Sequence, residues 1–365
     1  MPIYVGTNKI KSIYVGTTKI KKVYVGTNKV FGGGEINYYG TLTPLSFAVY
    51  TNSGASLGDY AFIHGGSTST SSGTVMPTLW NYNKSLVYGS TINLNRRARH
   101  AGASNSEYAL FVGGRNNSGD VTNTANYIDK NLVNGTTNTI HAAVVSLAGA
   151  SSDNYAMFAG GSTPSSNSGT SVYNTSLVKV DAPRLSVGRY YLAGAHIGNY
   201  ILFAGGRSGS DNSNVVDAYD NSLVRTTATA LSVKRRELAG ASNNSYAIFA
   251  GGNSSSGTSS TTTADAYNAS LVRTIAPVLS LRRVGIISVS TPFFAVFAGG
   301  VENTVDTASN VVDSYDESLV RKTETALGSK RFDGAGATVG SHFIIAGGRS
   351  QTGSVRADVF AYSFE

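Results

Sequence analysis

One phrase recurs along the chain, an apolar run closed by two glycines. It reads YAFIHGG at 60–66, YALFVGG at 108–114, YAMFAGG at 155–161, YILFAGG at 200–206, YAIFAGG at 246–252, FAVFAGG at 294–300 and FIIAGG at 343–348. The second glycines stand at 66, 114, 161, 206, 252, 300 and 348, so the spacing stays between 45 and 48 residues. A fixed period in this range marks a repeat architecture, in which units too small to bury their own faces stack on their neighbours.

One unit, residues 208–252, resolves into short strands. VVDAY alternates and is β-branched, DNSL is turn chemistry, and VRTTATALSV is a weaker outer strand. LAGAS is a strand of small residues, NNS a tight turn, and YAIFA the most apolar strand. Four strands per unit and no helical period predict the blades of a β-propeller. The small strands LAGAS, HAGAS, LAGAH and GAGAT would line the crowded axis, and the glycine pairs would permit positive φ and close backbone approach. After the last pair the chain supplies only VRADVFAYSFE, whereas EINYYGTLTPLS (35–46) stands before the first small strand. The N-terminal strand is therefore expected to complete the last blade and close a ring of seven.

The composition agrees. Charged residues make up 14%, and glycine and tyrosine reach 42 and 21 residues, a turn- and strand-rich balance. There is no cysteine, which excludes disulfides, thiol nucleophiles and thiolate metal sites. No apolar run reaches the ~18 residues of a membrane helix, and the opening MPIYVGTNKI has no apolar core of a secretory signal. The net charge of +8 is concentrated in residues 1–30, which hold six lysines and no acid.

The pattern of a small strand, an aromatic strand ending in Gly-Gly, and then Asp-Ala-Tyr-Asp resembles the kelch repeat, over about nine tenths of the chain. The Asp-x-Tyr feature stands at Asp217/Tyr219, Asp265/Tyr267 and Asp313/Tyr315, and the tyrosine is read again as Tyr82, Tyr127, Tyr173 and Tyr362. Kelch repeats usually carry a tryptophan after this tyrosine. Here the place reads Ser-Leu-Val at 222–224, 270–272 and 318–320, and the single tryptophan, Trp80, lies elsewhere. The resemblance implies an all-β, seven-bladed propeller over residues 35–365.

Residues 1–34 form a second repeat of period ten, MPIYVGTNKI KSIYVGTTKI KKVYVGTNKV. Each unit pairs a β-forming run with a turn-forming GTNK, and a three-stranded meander is the simple reading. It has almost no core and needs a partner. These units resemble short N-terminal repeats in tail-associated proteins of phages and prophages of Gram-positive bacteria. That resemblance implies an attachment or oligomerisation segment, with Tyr4, Tyr14, Tyr24, Lys9, Lys19 and Lys29 as its contact residues.

Two sets of loops should meet on one propeller face: those after each glycine pair and those before each small strand. The second set is basic, with Arg97, Arg189, Arg235, Arg282 and Arg331, and the first adds Arg115, Arg207 and Arg349. Around the axis they would make a collar suited to carboxylate, sulfate or phosphate groups, unless they tie neighbouring blades together. Trp80 is a candidate platform for a sugar ring. The loops after the glycine pairs vary on a repeated frame, a common binding arrangement. Catalysis finds no constellation: the five histidines sit at different blade positions with no metal-ligand spacing, the recurrent aspartates look architectural, and no cofactor motif is present.

The expectation is a non-enzymatic recognition protein, a homo-oligomeric component of a virion or tail-like particle made in the host cytoplasm. It would bind a bacterial surface glycan or surface protein through the propeller and tail or baseplate proteins through residues 1–34. Nucleic acid is not the expected partner, because no known binding module accompanies the lysines. An intracellular kelch-type interaction scaffold and a carbohydrate-active enzyme are the alternatives. The enzyme would require carboxylates or a metal site converging on the axial mouth.

Overall fold

The computed structural model describes residues 34–70, 73–254, 259–302 and 307–365, together with the backbone of six short strands between residues 4 and 31. Seven four-stranded antiparallel sheets follow one another around an axis, with no helix among the described residues. Blade 5 is representative, with an inner strand Ala239–Ser242, then Ala247–Ala250, Ala264–Tyr267 and an outer strand Arg273–Ala276. The inner strands of blades 1 to 4 are Ser53–Leu57, Ala101–Ser104, Ala148–Ser151 and Ala193–Ile197. Those of blades 6 and 7 are Ile287–Ser290 and Ala335–Val339. The outer strand of blade 7 is Ile36–Leu42, which pairs with the C-terminal strand Val359–Phe364 and joins Leu42 to Val359. The N-terminal strand thus closes the ring, as expected.

Small residues are needed at the axis because backbones meet there. A Cβ built on Gly54 would lie 2.1 Å from the carbonyl oxygen of Gly336, and one on Gly102, Gly149, Gly194 or Gly240 would lie 2.5 Å from that of the preceding inner-strand glycine. The glycine pairs have a different task. Their φ values run from 63° to 74° for the first glycine and 87° to 101° for the second. In this conformation the second N–H leaves its own blade and donates to a carbonyl of the next. Gly66 reaches Arg97, Gly114 Val144, Gly161 Arg189, Gly206 Arg235, Gly252 Arg283, Gly300 Arg331 and Gly348 Val49, at 2.8–2.9 Å. The recurring phrase is a circular backbone stitch.

A second stitch lies further out. The buried third-strand tyrosines Tyr82, Tyr173, Tyr219, Tyr267, Tyr315 and Tyr362 donate their hydroxyls to the carbonyls of Thr43, Asn138, Pro183, Thr229, Pro277 and Thr325, each in the preceding blade. Tyr127 does not belong with them. Ala109 pairs with Ile128, as Ile201 pairs with Tyr219, so Ile128 takes the interior place in blade 2. Tyr127 turns to the other face of its strand, edge-on to Tyr108. The Ser-Leu-Val turn that departs from the kelch pattern is held differently. The Asp220 carboxylate accepts the N–H groups of Ser222 and Val224 at 2.9 Å, and Leu223 sits at φ 59° with its side chain buried.

The arginines before the inner strands are tie points inside the blades. Arg97, Arg189, Arg235, Arg283 and Arg331 are fully buried. Each guanidinium donates to the first-glycine carbonyl of its own blade, for Arg235 that of Gly251 at 3.2 Å, and to a carbonyl at the start of the third strand, for Arg235 that of Thr263 at 2.6 Å. Arg189, Arg235 and Arg283 also pair with the buried carboxylates of Asp217, Asp265 and Asp313, and Arg331 pairs with Asp358 at 2.8 Å. The expected collar therefore loses Arg97, Arg189, Arg235 and Arg331, because a buried charge must spend its donors on carbonyls and carboxylates. Trp80 is corrected on the same grounds. Ile63 pairs with Trp80 as Phe203 pairs with Asp217, so the indole occupies the aspartate's place in blade 1, where Val49 replaces the arginine. It is fully buried, donates to Ser46 Oγ at 2.9 Å, and presents no face to a sugar.

The interface of blades 1 and 2 carries another polar replacement. His64 and His100 stand where the other blades have alanine or valine against, in blades 3 to 6, leucine or isoleucine. Their rings meet at 3.1 Å between Nδ1 of His64 and Nε2 of His100, buried against Phe111. Burial drives both imidazoles well below their ordinary value of 6.5, with Arg97 pushing further in the same direction.

In the three decapeptide repeats the structure differs from a meander. Tyr4–Val5 pairs with Asn8–Lys9, Ile13–Val15 with Thr18–Ile20, and Val23–Val25 with Asn28–Phe31, giving three separate two-stranded ribbons. A glycine-led two-residue spacer such as Gly-Thr suits a tight hairpin within each unit. The side chains of Tyr4, Tyr14, Tyr24, Lys9, Lys19 and Lys29 lie outside the described residues.

Two outcomes follow for stability. Replacing Arg235 by Ala leaves the buried Asp265 carboxylate with only Arg273, at 3.9 Å, as a cation, and chemical denaturation should show a loss of about 3 kcal/mol, whereas the double replacement Arg235→Met with Asp265→Leu should recover most of it. The neutral histidines make acid destabilising: the unfolded chain takes up protons below pH 6.5 that the folded chain refuses, so stability falls by up to about 1.4 kcal/mol per pH unit per histidine. His64→Ala with His100→Leu, the residues of the other blades, should flatten that slope between pH 6.5 and 5 in urea titrations.

Candidate functional site

The loop before each inner strand and the residue after each glycine pair do meet on one face. Tyr50 bridges Ser67, Ala98 bridges Arg115, Val145 bridges Ser162, Tyr190 bridges Arg207, Arg236 bridges Asn253, Val284 bridges Val301 and Phe332 bridges Arg349. One residue further along, every blade places a residue in the left-handed region: Thr51, Arg99, Ser146, Tyr191, Glu237, Gly285 and Asp333, with φ from 54° to 60°. Six head-to-tail hydrogen bonds join them. The N–H of Thr51 donates to Asp333, Arg99 to Thr51, Ser146 to Arg99, Tyr191 to Ser146, Glu237 to Tyr191 and Asp333 to Gly285, at 2.7–3.1 Å.

All seven line the mouth of an axial cavity of about 760 Å³, together with Tyr50, Thr70, Arg349 and Gln351. None of the seven is buried. The frame repeats and the side chains do not: around one circle stand hydroxyls, a guanidinium, a phenol, two carboxylates and a gap at Gly285. Left-handed backbone costs a non-glycine residue about 1 kcal/mol or more, and threonine and tyrosine are poorly suited to it. The fold needs the conformation for its ring of hydrogen bonds, but it does not need these side chains.

The carboxylates are held. Asp333 accepts from Nε and Nη2 of Arg349 at 3.3 and 3.1 Å, and the same guanidinium is packed between the rings of Tyr50 and Phe332. Glu237 accepts from Nδ2 of Asn253 at 3.1 Å and faces Arg236 Nε at 3.4 Å. Burial raises both acids above their ordinary values. The nearby arginines oppose the rise, and Asp333 adds to it at Glu237. The opposite mouth opens on a cavity of about 900 Å³ walled by inner-strand glycines and a ring of small hydroxyls that includes Ser104, Ser151, Ser242 and Ser290. These hydroxyls are partly used within the ring: Ser151 Oγ accepts the N–H of Ser104 at 2.8 Å, and Ser290 Oγ that of Ser242 at 2.9 Å.

The remaining residues expected at the site are scattered over this face. Arg349 stands at the mouth, bound as described. Arg115 is exposed on blade 2, and Arg207 is half-buried with Nε donating to the Gly209 carbonyl at 3.1 Å. Arg282 is exposed and bridges Glu302 at 2.6 Å, while its neighbour Arg283 takes the interior place. Sequence reasoning reached Arg99 only as one member of the basic loop 96–99, and passed over Tyr191, Glu237 and Asp333. The usable signal was positional, two residues after the buried arginine and two before the small strand, and it was hidden because that position shares no residue type. Among the described residues no group of histidine and acidic side chains could hold a metal ion.

No family model matches the sequence, and no curated protein matches it. Among solved structures 564 chains match. One is the structure of YjhT, which shares 11% identity with a TM-score of 0.58, covering 89% of this chain and 99% of that one. At that identity the likeness is one of propeller architecture, and the site must be read from its own residues.

Proposed function

We propose that this protein is a non-enzymatic recognition protein of the kelch type, carried on a phage or phage-tail-like particle, that binds a bacterial surface glycan through the axial mouth. The observation that carries the reading is the ring of seven left-handed residues. A backbone that repeats seven times presents seven positions to one mouth, and six of them hold polar or aromatic side chains of mixed kind instead of the glycine or asparagine that the conformation favours. Strain kept at a concave surface is a signature of a functional site. Hydroxyls, a phenol, amides and anchored carboxylates are groups that hydrogen-bond sugar hydroxyls. The three N-terminal ribbons, basic and without a core of their own, would attach the propeller to a particle through tail or baseplate partners or through copies of themselves.

A carbohydrate-active enzyme is the second reading, favoured by Glu237 and Asp333, two carboxylates of raised pKa at one mouth. Binding is preferred because each acid is engaged by protein donors, which leaves neither free to exchange a proton with a substrate. Release of reducing sugar from wall glycans, abolished by Glu237→Gln, would reverse that preference.

Tyr191→Asn separates binding from folding. Asparagine tolerates the left-handed region, so the melting temperature should hold or rise, while co-sedimentation with deproteinised Gram-positive cell walls should drop. Unchanged sedimentation would count against the mouth as the site. Light scattering should find the full chain multimeric and a chain starting at Gly34 monomeric, and equal masses would remove self-association as the role of residues 1–34.

A further inference from the structure

Charge is unevenly distributed around the recognition face. On blades 5 to 7 its arginines meet acids: Arg236 faces Glu237, Arg282 faces Glu302 and Arg349 faces Asp333. Blade 2 differs. Arg96, Arg97, Arg99 and Arg115 stand together there, and among the described residues none of them forms an ion pair. Arg97 is buried and bound to carbonyls, Thr124 and the side-chain oxygen of Asn126, which replaces the aspartate of blades 4 to 6. Burial without a carboxylate lowers its pKa to about 10. Arg96 is exposed and donates to the Val75 carbonyl at 2.8 Å. Arg99 and Arg115 are exposed, and their guanidinium groups have no hydrogen-bond partner among the described residues. The bridge between Ala98 and Arg115 sets these two side by side in the backbone, with Arg99 on the mouth itself. The loop's own acid, Asp120, accepts from Asn116 at 3.2 Å.

We infer that the blade 2 sector of the mouth, built on Arg99 and Arg115, is the subsite for an oxyanion, so that the ligand is a sugar unit bearing one phosphate or carboxylate group. This rests on the recognition reading above and adds the ligand's charge to it. The opposite arc, Glu237, Gly285 and Asp333, supplies acceptors for hydroxyls and a gap without a side chain. The same acids disfavour a second anionic group on that side. A chain of closely spaced phosphates would need a basic track across the face, whereas here the arginines free of both ion pairs and hydrogen bonds stop at one blade, Arg207 on blade 4 being bound to the Gly209 carbonyl. Two guanidinium groups that no acid pairs are suited to a planar carboxylate or a phosphate, and Asp333, whose charge acts on Arg99, is itself held by Arg349.

Titration of the full-length protein by calorimetry with glucose 1-phosphate, glucuronate and glucose tests this directly. The phosphate or the carboxylate sugar, or both, should bind at least about tenfold more tightly than glucose, and which of them binds identifies the group. Binding should weaken with salt. Arg99→Gln and Arg115→Gln should each lose about tenfold, the worth of one charge-assisted contact, while Arg282→Gln, outside the mouth, should bind as the parent does. Glucose binding equal to that of the charged sugars, or a double Arg99→Gln, Arg115→Gln variant that binds unchanged, overturns the inference. So does the absence of binding by all three probes at millimolar concentration. If glucose binds and Tyr191→Asn abolishes it, the mouth remains a recognition site and only its charge preference falls. A single-stranded oligonucleotide that outcompetes the sugar phosphate through the same arginines would replace the sugar with nucleic acid.

Discussion

Everything in this propeller hangs on one backbone hydrogen bond made seven times, from the second glycine of each pair to the blade that follows. The bond requires φ near 90–100°, which a side chain opposes, and it points out of its own sheet. Because the seventh donor, Gly348, reaches Val49 of the first blade, the series has no end. The ring at the mouth is a consequence. Once the carbonyl preceding each inner strand is fixed by the neighbouring glycine, the chain turns through the left-handed region to enter the axis, and the residue at that turn is presented to the cavity.

The blade interiors show how one volume is filled by different chemistry. Blades 4, 5 and 6 hold an arginine–aspartate pair, blade 7 draws its carboxylate from two residues earlier and stacks Arg331 on Phe360, and blade 2 uses asparagine. Blade 1 abandons charge for Val49 and Trp80, and blade 3 for Val144 with Ser171 near His141. Where the arginine is lost the aspartate is lost with it, since a carboxylate alone would be a buried uncompensated charge, whereas Arg97 of blade 2 stands without an acid by donating to carbonyls, Thr124 and Asn126. Trp80 is thus explained by the absence of an arginine and needs no ligand.

The architecture was legible because its causes are periodic. Glycine pairs, small inner strands and buried tyrosines are demanded at every blade and leave the same letters at every blade. Closure by the N-terminal strand could be read from the missing fourth strand at Val359–Phe364. The site was hidden for the opposite reason. Arg97 and Arg99 are alike as letters, yet one is fully buried and the other stands on the mouth, and only the two-residue offset from the turn separates them. Tyr127 misled in the same way, one position off the interior register held by Ile128. The decapeptides were read as one strand each with GTNK as the turn between units, whereas each folds back within itself and makes Asn8–Lys9, Thr18–Ile20 and Asn28–Phe31 second strands, since strand propensity alone does not say which strand is the partner.

The strand Ile36–Leu42 is made before any blade, yet its partner, Val359–Phe364, is made last. Through the whole of synthesis it is an unpaired edge carrying Tyr38 and Tyr39, both exposed even in the finished ring. Ring closure is therefore the step of greatest sequence separation and the natural bottleneck of folding. Wherever several copies of the chain are made close together, their Ile36–Leu42 strands compete for each other's seventh blade until their own is ready. Exchange of that one strand is the misassembly that this molecule must outpace.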